Sequence, residues 1–450
     1  MPFYHIRRLL IILFILTYLL SYFTAIPALA VLNGFILAFV LLQGFLGMPK
    51  VTKTVSLGLL VIGAMILFAI KASWLDWLAA IANNAGLVTL FLVVPILGMP
   101  FFYNDYEQEL KNVARQNIGN ILTFSLLIFL VAHLLGGIIS VGAVALVYEI
   151  FIGSAREIKA EKLMRIAMIH GYVTTGFWSP TWASMAAVVS TQGVSWFTII
   201  PYGFGLVLAC LLLSFVYQRI KLARHPEWVF KPSRQEEIHI NWSHILSLVL
   251  LIVSLLLAIL LFDLFTNWQL LIIVSIVALL FPVGCALVMN KGPELKSGLA
   301  HYYRQNILKS KNEVVLFTVA GFLGKALELS GAGEYIVRFI PESLSRHPFL
   351  LIVFICILMV LFSLGGIHPV VTGSALLGAL QPALLNLSTL EFSLAILLGW
   401  TAAILLSPFS AMNLILSGLT GEASWNISKK NALYGIVMIV MVAALITLFI

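Results

Sequence analysis

Charge is what this sequence has least of. Only 10% of its 450 residues are Asp, Glu, Lys or Arg, against 61% hydrophobic, and the mean hydropathy is +1.07. Ordinary soluble domains carry roughly a quarter of their residues as charges, so that class is excluded, and no polar stretch is long enough to form a separate soluble domain. Cysteine is equally scarce. Cys210, Cys285 and Cys356 lie far apart in apolar tracts without CxxC spacing, which rules out a disulfide framework or a cysteine metal site and leaves three small buried hydrophobes. Catalytic signatures are missing too: there is no GxSxG, no HExxH, no Walker A motif and no paired acidic motif. Their absence removes ATP-driven pumping and the common hydrolytic chemistries. The expectation is a protein that is not an enzyme and needs no cofactor beyond a coupling ion, Na+ or H+.

What the sequence does have is apolar tracts of membrane-crossing length. They fall near 8–24, 27–47, 54–71, 86–103, 120–150, 196–218, 244–264, 268–290, 314–329, 349–364, 391–418 and 431–449. Such a chain is expected to be an all-α polytopic membrane protein. The formal net charge of +8 resides mainly in loops flanking these tracts, the placement that the positive-inside bias requires, so nucleic acid is not an expected partner. The opening "MPFYHIRRLLIILFILTYLLSYFTAIPALA" has the basic start, apolar core and small residues of a secretory signal, but its core is long and another tract follows at once. Residues 1–25 therefore read as an additional N-terminal transmembrane helix, with Arg7 and Arg8 cytoplasmic.

The longest polar interruption, residues 218–244, carries five Lys or Arg near the midpoint of the chain. It divides a first half, 26–218, from a second, 244–450, with 219–243 as a cytoplasmic linker. Counting spans from a cytoplasmic N-terminus puts "KASWLDWLAAIANN" outside and its basic counterpart "NKGPELKSGLAHYYRQNILKSKN" inside. The halves thus enter the membrane in opposite senses, as inverted-topology repeats do. The same count leaves Lys429 and Lys430 outside, against the charge rule.

Both halves are interrupted by polar residues and proline. "HGYVTTGFWSPTWASMAAVVS" (170–190) pairs in this reading with "FSLGGIHPVVTGSALLGAL" (362–380), and Pro201 in "TIIPYGFGLV" pairs with Pro408 in "LLSPFSAMNLILSG". In a bilayer a broken helix leaves backbone groups that lipid cannot satisfy, so a break persists only where protein, water or a bound solute satisfies them. Free N–H ends attract anions and free carbonyls attract cations, while hydroxyl and amide oxygens suit sodium. The candidate substrate- and ion-binding residues are therefore Thr174, Thr175, Ser179, Pro180, Thr181, His368, Pro369, Thr372, Ser374, Ser407, Pro408, Ser410 and Asn413. The opposing reading is that the prolines only kink helices and the hydroxyls bond back to carbonyls. His368 could also accept a proton; His133, near a Gly-Gly packing face, and His170, near a basic loop, are weaker candidates. Lys325 and Glu328, three apart, read as an interfacial pair at a helix end. The charged run from Asp105 to Arg115 reads as an amphipathic surface helix.

Three stretches resemble a known family. "VVLFTVAGFLGKALELSGAGEYI", "GGIHPVVTGSALLGAL" and "SPFSAMNLI" look like the second half of an ion transporter superfamily protein. That group includes divalent anion/sodium symporters, arsenite permeases and the large membrane subunits of TRAP transporters. The resemblance implies re-entrant hairpins, broken helices and an elevator-type architecture, with a scaffold that forms a homodimer. The Ser-Asn-Thr hairpin tip of the symporters is replaced here by "SPT" at 179–181 and "HPVVT" at 368–372.

The expected function is ion-coupled secondary transport of a small, carboxylate-like anionic solute across the bacterial inner membrane. The alternatives are a cation/proton antiporter on the same fold and a membrane-embedded enzyme acting on a lipid-linked substrate. An antiporter would need a deep carboxylate, whereas Asp263 and Glu391 lie near span ends. The topology is directly testable: cysteines placed at Arg224 or Lys231 should resist impermeant thiol reagents in intact cells, because five basic residues in a short loop oppose translocation. Labelling from outside would reverse the assigned orientation.

Overall fold

A computed structural model describes residues 2–46, 48–225, 238–332, 344 and 346–450; most of the expected linker, including Lys231, lies outside them. Among the described residues the chain is helical, without strands. Among these residues ten helical stretches are long and apolar enough to cross a membrane, and the chain is a multi-pass membrane protein.

The first helices are α1 (Pro2–Thr24), α2 (Pro27–Gly44), α3 (Lys50–Ala69), α4 (Trp74–Ala82) and α5 (Ala85–Leu97). Thr17 of α1 donates to Asn33 Oδ1 of α2 at 3.0 Å, so two polar side chains inside apolar helices satisfy each other. The charged run from 105 to 115 forms α6 (Tyr106–Gln116), with its acidic residues in the first turn and Lys111 bridged to Glu107 at 2.5 Å. Apolar residues on its inner face, such as Tyr106 and Leu110, are buried, as expected of a helix lying along a surface.

The tract at 120–150, which hydropathy alone presents as one span, is instead two helices, α7 (Ile121–Ile139) and α8 (Gly142–Glu157). Between them Ser140 adopts φ 52°, the backbone region that glycine usually fills, and the chain turns back. Next come α9 (Glu161–Thr174), α10 (Ala183–Gln192) and α11 (Trp196–Arg224). Pro201 does not interrupt α11, which runs through it without a break and continues past residue 218 into the expected linker.

The second half has α12 (Trp242–Phe265), α13 (Leu270–Val288), α14 (Gly292–His301), the short α15 (Ile307–Lys309) and α16 (Lys311–Leu329). Lys325 and Glu328 pair at 2.6 Å near the end of α16. The chain then continues through α17 (Pro348–Leu364), α18 (Pro369–Ala379), α19 (Thr389–Leu406), α20 (Ala411–Thr420), α21 (Ser424–Lys430) and α22 (Ala432–Phe449).

Two pairs of helices run parallel. Gly171 of α9 lies against Phe129 of α7, Thr174 against His133, and Ser179 against Gly137. In the second half Ala395 lies against Cys356, Gly399 against Met359, and Ser407 against Ser363. Since α8 joins the end of α7 to the start of its parallel neighbour α9, it must run back, making α7–α8 a hairpin. The same reasoning makes α17–α18 a hairpin.

Contacts also fix which ends lie together. Ser125, near the start of α7, donates to Gln218 of α11; Arg165, near the start of α9, reaches Glu422, just beyond α20, at 3.6 Å; and Tyr217 OH donates to the Lys430 carbonyl at 3.1 Å. Hence α9 runs away from the linker end of α11, whereas α19 and α20 run toward it. Lys430 lies on the linker side, which removes the conflict created by counting spans. That count treated 349–364 as a full crossing, whereas α17 belongs to a hairpin and is followed by the returning α18.

Close approach of α7 and α9 depends on Gly171, where an added Cβ would meet the Phe129 carbonyl oxygen at 2.2 Å. Backbone cannot yield as a side chain tip can, so Gly171→Ala should destabilise the fold by about 1–3 kcal/mol. A lower melting midpoint in detergent would register this, and an unchanged midpoint would show that the helices can separate freely.

Candidate functional site

The site is built from two interrupted helices. After α9 the chain passes through Thr175–Phe177, a single 3-10 turn, then Trp178, Ser179, Pro180 and Thr181 before α10 begins. After α19 it passes through Ser407, Pro408, Phe409 and Ser410 before α20 begins. Proline has no N–H and disfavours helix at the preceding residue, so Ser-Pro ends the helix in both places.

Beyond each Ser-Pro the two segments stay in the same register. Trp182 and Ser410 are the N-caps, each three residues after the serine. The half-helices that follow both have 10 residues, and both end at a left-handed glycine, Gly193 at φ 68° and Gly421 at φ 69°. Glycine is the residue that adopts this C-terminal conformation without strain. The structural counterpart of Ser179-Pro180 is therefore Ser407-Pro408, which corrects the sequence pairings of 170–190 with 362–380 and of Pro201 with Pro408. His368-Pro369 instead begins the returning arm of a hairpin.

The serines also bond alike. Ser179 Oγ donates to the Gly137 carbonyl at 2.8 Å, and Ser407 Oγ donates to the Ser363 carbonyl at 2.7 Å. Both carbonyls belong to the last turn of a hairpin's first arm, α7 or α17, where helix carbonyls lack an i+4 partner. Thr181 Oγ1 donates to the same Gly137 carbonyl at 2.9 Å, 3.0 Å from Ser179 Oγ. A hydroxyl that donates to a carbonyl keeps its lone pairs available to accept or to coordinate.

Other candidates serve local ends. Thr174 donates to the Gly171 carbonyl at 2.8 Å, and Thr175 donates to the Tyr172 carbonyl. Thr372 donates to the Pro369 carbonyl at 3.2 Å. Pro180, Pro369 and Pro408 are buried. His368 Nδ1 accepts from the Val370 N–H at 3.2 Å, so the imidazole caps α18 with Pro369 in the first helical position. Protonating Nδ1 would remove that cap. Ser374 stands apart, accepting from Asn84 Nδ2 at 3.3 Å while the same amide donates to the Phe317 carbonyl at 3.0 Å. It fastens α18 to α16 and α5 and is not part of either break.

Asn413 differs from the rest. Its Nδ2 donates to the Ser407 carbonyl at 2.8 Å and the Leu405 carbonyl at 3.2 Å, an orientation fixed because a flipped amide would set oxygen against oxygen. The Oδ1 is buried with no hydrogen-bond partner. Ser410 Oγ accepts from the Asn413 N–H at 3.4 Å and so caps α20. The start of α10 has no side-chain cap, and Ser184 Oγ in its first turn is buried and unpartnered. So is Thr401 Oγ1 of α19, which lies beside Gly176 in the first break: a Cβ there would meet it at 2.7 Å.

Nothing in the sequence marks Ser184, Thr401 or Asn84, each a lone hydroxyl or amide beside apolar residues. His133, the weaker candidate beside a Gly-Gly face, lies against the first break and bonds to two of its residues. Trp178 Nε1 donates to His133 Nε2 at 2.9 Å, which leaves the imidazole proton on Nδ1, facing Thr174 Oγ1 at 3.0 Å. Trp182 Nε1 donates to the Gly136 carbonyl at 2.9 Å. The tryptophans flanking Ser-Pro in "FWSPTW" were the available signal, because a buried indole needs an acceptor.

No family model matches the chain, and no curated protein sequence matches it. Among solved structures it is similar to the crystal structure of the Alcanivorax borkumensis YdaH transporter, whose topology is described as unusual. The identity is 13%, over 82% of this chain and 86% of that one, with a TM-score of 0.48.

Because Ser179 and Thr181 share one acceptor, each can cover for the loss of the other. Ser179→Ala and Thr181→Ala should each be mild, whereas the double variant should cost about 1–3 kcal/mol by leaving a buried carbonyl under-satisfied. A double-mutant cycle on unfolding free energy in detergent should show coupling. Strict additivity would mean that the two hydroxyls act independently.

Proposed function

We propose that the chain is an ion-coupled secondary transporter for a small anionic solute, with its site at the two Ser-Pro breaks. The observation that carries this reading is the buried, unpartnered Asn413 Oδ1 beside the second break. A buried oxygen without a partner is costly unless something binds it for part of the working cycle. Ser184 Oγ and Thr401 Oγ1 beside the first break support the same reading. Neutral oxygens of this kind suit sodium, and the uncapped amino end of α10 suits an anion.

Geometry adds to this. A ten-residue half-helix rises about 15 Å, half of a hydrocarbon core about 30 Å thick. Half-helices of equal length running in opposite senses would set both breaks near the same depth. In this reading 26–218 and 244–450 are inverted repeats joined by the cytoplasmic linker 219–243, after an additional helix over 1–25. The hairpins α7–α8 and α17–α18 travel with the broken helices in an elevator-type movement, within a homodimer in the bacterial inner membrane. An antiporter that relies on a buried carboxylate is disfavoured, because neither Ser-Pro break contains Asp or Glu.

The test is a thermal-shift screen of carboxylates, oxyanions and amino acids, with and without sodium and across pH, followed by uptake into proteoliposomes. Ligands that bind only the folded state raise its apparent stability. Asn413→Ala should remain monodisperse while binding its ion or solute roughly tenfold or more weakly, because it removes Oδ1 together with the two hydrogen bonds by which Nδ2 holds the break. If no anion stabilises the protein in any ionic condition, or if Asn413→Ala transports like the parent, the proposal fails.

A further inference from the structure

At the linker end of α9 and α11 lies a cavity of about 240 Å³ that has no part in the breaks. Among the described residues its polar lining brings Lys162, Arg165, Lys221 and Lys430, with His225, Tyr217 and Asn431, around one carboxylate, Glu422. That carboxylate is already engaged: Lys430 Nζ donates to Glu422 Oε1, and Arg165 Nη2 lies 3.6 Å from Oε2. Lys221 Nζ sits 5.3 Å from the centre of the Tyr217 ring. Isoleucines 166, 169 and 427 supply an apolar inner wall.

The floor is rigid. Asn431 is buried, donating from Nδ2 to the Ile427 carbonyl at 2.8 Å, while its Oδ1 lies 3.2 Å from His170 Nε2. His170 Nδ1 lies 2.9 Å from Ser214 Oγ, and the imidazole stacks on Tyr434 at 3.4 Å. Three segments that are distant in sequence, around residues 170, 214 and 427–434, therefore meet in one polar floor beneath a cationic rim.

We propose that this cavity binds a phosphate group, and that the group belongs to an anionic phospholipid. Cations gathered at the ends of membrane helices attract anionic headgroups, and clefts of this kind between helices hold them. The adjoining isoleucines suit the glycerol and first acyl carbons better than they suit water. A free phosphate shares the charge but gains nothing from that apolar wall. Occupancy would tie α9 and α11 to the segment before α22 by bridging Arg165, Lys221 and Lys430.

The test uses the full chain in phosphatidylcholine micelles, titrated with phosphatidylglycerol in one arm and with inorganic phosphate in the other. Binding is read by melting midpoint and by native mass spectrometry. Phosphatidylglycerol should stabilise the protein and be retained. Lys221→Gln and Lys162→Gln should each weaken retention roughly fivefold, the usual effect of one basic residue near an anionic surface. Glu422→Gln should strengthen retention, because it removes the opposing charge. A merely structural role for these residues would not reverse sign between the lysine and glutamate variants. Stabilisation by inorganic phosphate that also competes with phosphatidylglycerol would keep the phosphate site but overturn the lipid as its source. Retention that is equal across all variants, or no preference for phosphatidylglycerol over phosphatidylcholine, would overturn the site itself.

Discussion

Each interrupted helix is held by one serine hydroxyl that reaches a carbonyl in the last turn of a neighbouring re-entrant arm: Ser179 to Gly137, and Ser407 to Ser363. Two backbone problems are solved together. The hairpin's first arm ends inside the protein, where its terminal carbonyls need a protein partner, and the Ser-Pro corner needs a fixed position. Close helix approach serves that bond. Gly171 lets α9 lie directly on the α7 backbone, and Gly203 lets α11 lie on Phe177, where a Cβ would come within 2.4 Å of the carbonyl oxygen. Trp196 then closes the first break from the α11 side by donating to the Trp178 carbonyl at 2.7 Å.

That arrangement separates two kinds of polar residue that look alike in a sequence. Thr174, Thr175, Thr372 and Ser374 spend their polar atoms on helix ends or on fastening one helix to another. Asn413, Ser184 and Thr401 each leave a buried oxygen without a hydrogen-bond partner. The difference lies only in what stands opposite each side chain, and three-dimensional packing decides that.

The all-helical membrane class, the surface helix at α6, the Lys325–Glu328 pair and the presence of breaks at Ser179-Pro180 and Ser407-Pro408 were legible in the sequence, because hydropathy, charge spacing and proline each have a local physical cause. The hairpin turn at Ser140 was not, since it lies within a continuous apolar tract and hydropathy does not register a change of direction. Pairing His368-Pro369 with the first break failed for a related reason. Both stretches place glycines before a polar residue and proline, but at His368 the proline starts a helix, whereas at Ser179 and Ser407 it ends one. The true correspondence is carried by a serine, a proline and a distant glycine, too sparse to stand out in a chain with 32 glycines.

The attachment of α1 bears on how the molecule is made. Its start is tied to the region before α16, with Arg8 Nη2 donating to the Arg304 carbonyl at 2.6 Å and His5 meeting Tyr303 at 2.9 Å. Its end is tied beside α13, where Tyr22 OH accepts from the Gln269 N–H and Phe23 packs edge-on to Trp268. All these partners leave the ribosome long after α1 does. During synthesis α1 must therefore wait in the bilayer with first-half partners such as α2 and α5, and the Thr17–Asn33 bond lets α1 and α2 hide their polar groups from lipid in the meantime. Final docking of α1 is thus a late event in biogenesis, completed only once the second half has been inserted.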